Sequence, residues 1–152
     1  MGTRIIIYLI DDESTFRSQF KRAMKRAGFR PDEFRFQEFA TTDEAVRAFE
    51  QSSDQPRLAL FDQNVKSSTY KGTEAIRKLH EQGDIEAILG IISSSNKAQE
   101  VDQARSFGAR FWIRKGGGRA AMIEKMRRFK AEIFDPMNRG EKVPEWLEIG
   151  LQ

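Results

Sequence analysis

The chain has no cysteine, four prolines and a single histidine in 152 residues. Without cysteine there is no disulfide framework, no thiolate metal site and no thiol nucleophile, a composition that suits a reducing compartment and gives a cytoplasmic expectation. The lone histidine, His80, has no histidine or cysteine companion with which to bind a metal or build a nucleophile–base pair, so no role is assigned to it. Long apolar runs are missing too. The longest, Ile5 to Ile10, is far too short to cross a bilayer or to form a signal-peptide core, and no membrane partner is expected. Met1-Gly2 opens like a myristoylation signal, but Ile6 stands where Ser or Thr is needed. Repeats and low-complexity segments are also absent, and the length suits one domain.

Charge is plentiful and nearly balanced: 26 Lys and Arg against 23 Asp and Glu, a formal net charge of +3. The bases gather at Arg17, Lys21, Arg22, Lys25, Arg26 and Arg30, and again at Arg119, Lys125, Arg127, Arg128 and Lys130. Both groups fall on predicted amphipathic helices. With acids almost as numerous and no groove-reading motif or pattern of stacking aromatics beside them, they read as solvated helix faces, and no nucleic acid is expected as a partner.

What the chain does contain is a series of short apolar runs that end abruptly on polar groups. Ile5 to Ile10 runs into Asp11-Asp12-Glu13, Leu58 to Phe61 into Asp62, and Ile88 to Ile92 into Ser93. Uninterrupted runs of this length suit strands covered on both faces. Phe34 to Phe39 is more mixed and is expected at the sheet edge, and Arg110 to Lys115 alternates like a second edge strand before ending on lysine. Helices fit between them. Ser14 is placed to cap the first, Thr41-Thr42-Asp43-Glu44 reads as a capping box for the second, and Gly28, Gly83 and Gly108 serve as stop signals. Gly116-Gly117-Gly118 leads into a long helix marked by Met122, Met126, Phe129 and Ile133; the Walker spacing that would make it a nucleotide loop is missing. Beyond Asp135-Pro136, the tail carries Trp146, Leu147, Ile149 and Leu151, for which a short helix is expected. Five strands alternating with five helices give an α/β fold, a doubly wound parallel sheet with helices on both faces.

Ligands in such sheets bind beyond the carboxyl ends of the strands, which would collect Asp11, Asp12, Asp62, Ser93 and Lys115 on one side. Crowded carboxylates repel unless a cation neutralises them, and hard oxygen ligands suit magnesium. A lysine and a hydroxyl beside them complete a place where a phosphoryl group could meet a carboxylate nucleophile.

On these residues the chain resembles the receiver domain of two-component response regulators. The resemblance spans residues 4–135 and rests on Asp11-Asp12 followed by Glu13 to Arg17, Asp62 closing the third strand, Ser93 closing the fourth, and Gly108-Ala109 ahead of Lys115. It implies the sheet order 2-1-3-4-5 and a stand-alone signalling module with a tail over 136–152. By the same resemblance Asp62 would accept a phosphoryl group from a sensor histidine kinase or histidine phosphotransfer protein. Asp12 and Asp62, with the Asn64 carbonyl, would hold Mg2+, and Asp11 would act through a bound water. Ser93 and Lys115 would contact the phosphoryl oxygens, and Trp112 with Ser93 would form the switch. Such a protein is a phosphoacceptor that catalyses only its own phosphorylation and dephosphorylation. It departs from the family pattern in having Gly116 where a proline usually follows the lysine, no proline after Asp62, and a longer stretch from there to Gly72. Two other readings stand beside it: a receiver fold retained as a phosphorylation-independent interaction module, and an aspartyl-phosphate phosphatase, which would want an acid where Asn64 stands. The apolar tail is expected to dock on the face between the fourth and last helices, within the chain or across a homodimer, and to compete with a downstream protein partner.

Overall fold

Strands β1 (Ile5–Ile10), β3 (Leu58–Asp62) and β4 (Ile88–Ser93) are buried at every position, as unbroken apolar runs require. They form the centre of the sheet in the computed structural model, which describes residues 4–83 and 85–150. With β2 (Phe34–Phe39), β5 (Phe111–Arg114) and β6 (Leu147–Ile149), the sheet order is β2-β1-β3-β4-β5-β6 with every pair parallel, and β2 lies at one edge as its mixed pattern suggests.

The sheet has six strands rather than the expected five. In place of the helix expected around Trp146, the tail supplies β6 (Leu147–Ile149), which pairs with β5 (Phe111–Arg114) through Phe111↔Leu147 and Ile113↔Ile149. Leu147 and Ile149 are buried and Glu148 between them is exposed, the two-residue period of a strand. Strand β5 is therefore interior, not an edge, and Phe111, Trp112 and Ile113 are all fully buried. Leu151, which belonged to the same expected patch, lies outside the described residues.

Helices α1 (Ser14–Arg26) and α5 (Gly118–Phe129) cover one face, with Phe20, Met24, Met126 and Phe129 packed against Ile7, Leu9 and Ile113. Helices α2 (Thr42–Gln51), α3 (Gly72–Gln82) and α4 (Ala98–Ser106) cover the other, against Tyr8, Phe61 and Ile91. Alternation along β5 sends Phe111 and Ile113 to the first layer and Trp112 to the second. Thr41 caps α2 by accepting from the Glu44 N–H at 3.2 Å. Ser14 does not cap α1; Glu13 occupies the cap position and contributes no side-chain bond there. After α5 the chain stays helical through a π turn (Lys130–Phe134) into α6 (Asp135–Asn138), with the Asp135 N–H donating to the Lys130 carbonyl. Pro136, which has no N–H to donate, directly follows the π turn, where the regular helical hydrogen-bond ladder is already interrupted. No helix among the described residues is long and apolar enough to cross a membrane.

Candidate functional site

Parallel pairing sets Ile10 level with Phe61 and Asp62 level with Ile92, so Asp11 and Asp62 emerge side by side and Ser93 follows one step on. Ser93 is level with Arg114, and the Lys115 N–H donates to the Ser93 carbonyl at 2.8 Å. The register alone thus brings Asp11, Asp62, Ser93 and Lys115 to one end of the sheet. One carboxylate oxygen each from Asp11, Asp12 and Asp62 lie within 4.8 Å of one another. The Lys115 Nζ stands 2.7 Å from Asp11 Oδ2 and 3.3 Å from Asp62 Oδ1, with its ammonium 4.0 Å from the centroid of the Phe16 ring. Asp11 is held further by the Glu13 N–H, which donates to its Oδ1 at 2.9 Å, while its carbonyl accepts from the Arg17 guanidinium.

The electrostatics of this end are unbalanced. Burial pushes the Asp62 carboxyl up to about 6, the Lys115 ammonium opposes that shift, and the charges of Asp11 and Asp12 add to it. Three carboxylates facing one ammonium leave an excess of negative charge. Their oxygens are hard donors converging on one point, so the residues present fit a divalent cation of the magnesium class.

Among the other expected site residues, Asn64 lies two positions beyond Asp62 and is exposed. Ser93 is 1% exposed, and its hydroxyl accepts from the Ser95 N–H at 3.1 Å. Trp112 is wholly buried, and its indole N–H donates to the Ser95 carbonyl at 3.1 Å.

A polar network that sequence reasoning missed joins these parts. The Gln63 side-chain oxygen Oε1 accepts from the Thr73 N–H at 2.9 Å, and its side-chain Nε2 donates to Glu100 at 3.0 Å. Glu100 in turn accepts from the Ser95 hydroxyl at 3.0 Å. The Gln63 amide is the main cause of a Glu100 carboxyl held below the usual range, with burial opposing it. Gln63 follows Asp62 directly, and that adjacency was the only available signal; Thr73 and Glu100 meet it through the packing of α3 and α4. Helix α3 itself starts hard against the site. A Cβ on Gly72 would lie 2.5 Å from the Asp62 carbonyl oxygen, so only glycine fits. The intervening loop is tied down by Thr42, whose hydroxyl donates to the Tyr70 carbonyl at 2.7 Å, and by Asp43, which accepts from Thr69.

No protein-family model matches the chain. No curated protein matches it either. Solved structures do match. The phosphorylated cyanobacterial phytochrome response regulator RcpA aligns at a TM-score of 0.73 and 13% identity over 84% of this chain and 92% of its own. A LuxR-family two-component response regulator from Aurantimonas sp. SI85-9A1 aligns at 0.66 and 20% identity, over 94% of this chain and 91% of its own. The Mn(2+)-bound form of response regulator Rcp1 aligns at 0.70 and 13% identity, over 84% and 92%. These likenesses show the fold: the chain has the fold of response-regulator receiver domains.

Proposed function

We propose that this receiver fold accepts a phosphoryl group on Asp62 from a histidine kinase or histidine phosphotransfer protein and signals through phosphorylation-dependent protein contacts. The observation that carries the reading is the meeting of Asp62 with Asp11, Asp12 and Lys115 at the strand ends. That RcpA was solved phosphorylated and Rcp1 with manganese bound supports it by analogy of fold.

In the transfer, an oxygen of the ionised Asp62 carboxylate attacks phosphorus, the bond from phosphorus to the donor nitrogen breaks, and that nitrogen leaves with the bond's electron pair. Lys115, shared between Asp11 and Asp62 before transfer, is placed to follow the new negative charge onto a phosphoryl oxygen. The Ser93 hydroxyl accepts from Ser95 and keeps its own hydrogen free to donate to that oxygen. A magnesium ion held by Asp12, Asp62 and the Asn64 carbonyl, with Asp11 acting through water, would neutralise the carboxylates and the incoming phosphate. Movement of Ser93 would be felt by Trp112, because both bond to Ser95. The chain promotes its own phosphorylation and dephosphorylation and turns over no separate substrate.

The test is incorporation from acetyl phosphate or phosphoramidate with magnesium, followed by intact mass. The parent protein should gain one phosphoryl group and Asp62→Asn none, because an amide lacks the nucleophilic oxygen. Stoichiometric incorporation into the variant would move the acceptor elsewhere.

A further inference from the structure

A cavity of about 430 Å3 lies between α1 and α5, on the sheet face opposite Trp112. Its floor is apolar, formed by Phe16 and Met122 with the wholly buried Phe20 behind them, and its rim carries Arg22 and Arg26 from α1 and Arg119 from α5. The two basic clusters, read from sequence as separate solvated faces, therefore contribute to one concavity. Arg17 and Lys21, also on α1, share the carboxylate of Glu38 at 3.1 and 2.8 Å. Among the described residues none of the three rim arginines has a carboxylate within 4.0 Å. Lys115 also lines the cavity, with its ammonium held by Asp11 and Asp62, so the arginines stand on the side away from those acids as its unpaired cations. Gly116, Gly117 and Gly118 all have positive φ, the first turn of α5 has no acidic residue, and no side chain caps it.

Cavities of a few hundred Å3 with an apolar floor and a few convergent polar groups are the usual form of a small-molecule site. Arginine is the side chain best matched to a planar or tetrahedral oxyanion, and three without partners gain more from an anion than from one another. We propose that this cavity binds a small free organic anion, with an aromatic or short acyl body on Phe16 and Met122 and an acidic head group between Arg22, Arg26 and Arg119. The proposal does not depend on phosphorylation of Asp62, since it requires neither metal nor phosphodonor.

The probe is 8-anilinonaphthalene-1-sulfonate, titrated calorimetrically and by fluorescence into the full chain without magnesium, with N-phenyl-1-naphthylamine as its neutral counterpart. One saturable site is expected, with amide NMR shifts confined to Phe16–Arg26 and Gly116–Met122. Replacing Arg22 and Arg119 with Gln, both exposed and free of structural bonds, should weaken the anion about tenfold and leave the neutral compound unchanged. Met122→Trp should abolish both by filling the floor, with an unchanged amide spectrum elsewhere as the control for folding. Equal affinity of parent and arginine variant, equal affinity for the neutral compound, or shifts scattered over the surface would overturn the proposal. So would an arginine variant that binds the probe normally but loses only transfer from a histidine phosphotransfer protein, since the face would then be a protein dock.

Discussion

At Asp62, burial and two neighbouring carboxylates press in one direction and Lys115 in the other, and the balance leaves the carboxyl titrating near 6. A carboxyl whose pKa is raised on folding disfavours the folded state when it is charged. That penalty is full above about pH 6 and vanishes below the unfolded value near 4. Asp62→Asn should therefore do two things at once: end phosphoryl acceptance, and stabilise the metal-free protein at pH 7.5 by on the order of 1 kcal/mol. Calorimetric unfolding should show that gain shrinking to nothing between pH 6 and 4, and a variant less stable than its parent at pH 7.5 would show that Asp62 is not a strained group. The same balance governs the metal. A cation must displace the proton from Asp62, so magnesium affinity measured by titration calorimetry should fall as the pH drops through about 6. Asp12→Ala should weaken magnesium at every pH, because it removes a ligand from the trio, and unchanged affinity would remove Asp12 from the ligand set.

Strands β1, β3 and β4 were legible because each is an apolar run long enough to exclude other readings, and each stops on the residue that matters. Strand β6 was not legible. Leu147, Ile149 and Leu151 have the period of a strand, yet Leu147 and Leu151 are also one helical turn apart, and three residues cannot separate the two patterns. What decides is tertiary: β5 offers an open edge, and the tail docks its apolar side chains beside Phe111 and Ile113 by extending the sheet. Leu147→Ala should accordingly cost about 2–3 kcal/mol in chemical denaturation, the range for a buried leucine at a site that collapses only partly. Removing residues 141–152 should uncover the β5 edge and promote association of copies, visible as a mass above the monomer's in sedimentation at raised concentration. A truncated chain with the parent's mass and stability would make the tail a bystander. The link from Gln63 through Glu100 to Ser95 was beyond sequence reasoning for a related reason, since its members are 37 and 5 positions apart and meet only after α3 and α4 have packed. Glu100→Ala should loosen Ser95 and hasten hydrogen exchange at the Trp112 indole N–H, which bonds to the Ser95 carbonyl.

Across the whole molecule the chemistry is polarised: the charged and hydroxyl side chains that can handle phosphate collect where the parallel strands end, and the opposite ends of the strands have no comparable cluster among the described residues. This follows from topology, because crossover connections keep all strands parallel and so bring every strand's last residue to one side. Backbone likeness to response regulators at 13–20% identity shows that scaffold and leaves the activity to the side chains it carries. Acyl phosphates differ from phosphate esters in being reduced by borohydride to the alcohol, which turns an aspartyl phosphate into homoserine. The most direct measurement is to treat the protein with phosphoramidate, with and without magnesium, reduce it with borohydride, and sequence the peptides by mass spectrometry. Homoserine at position 62 alone, and only with magnesium present, is the expected result; homoserine at another aspartate, or at none despite saturating donor and magnesium, would contradict the assignment of Asp62 as phosphoacceptor.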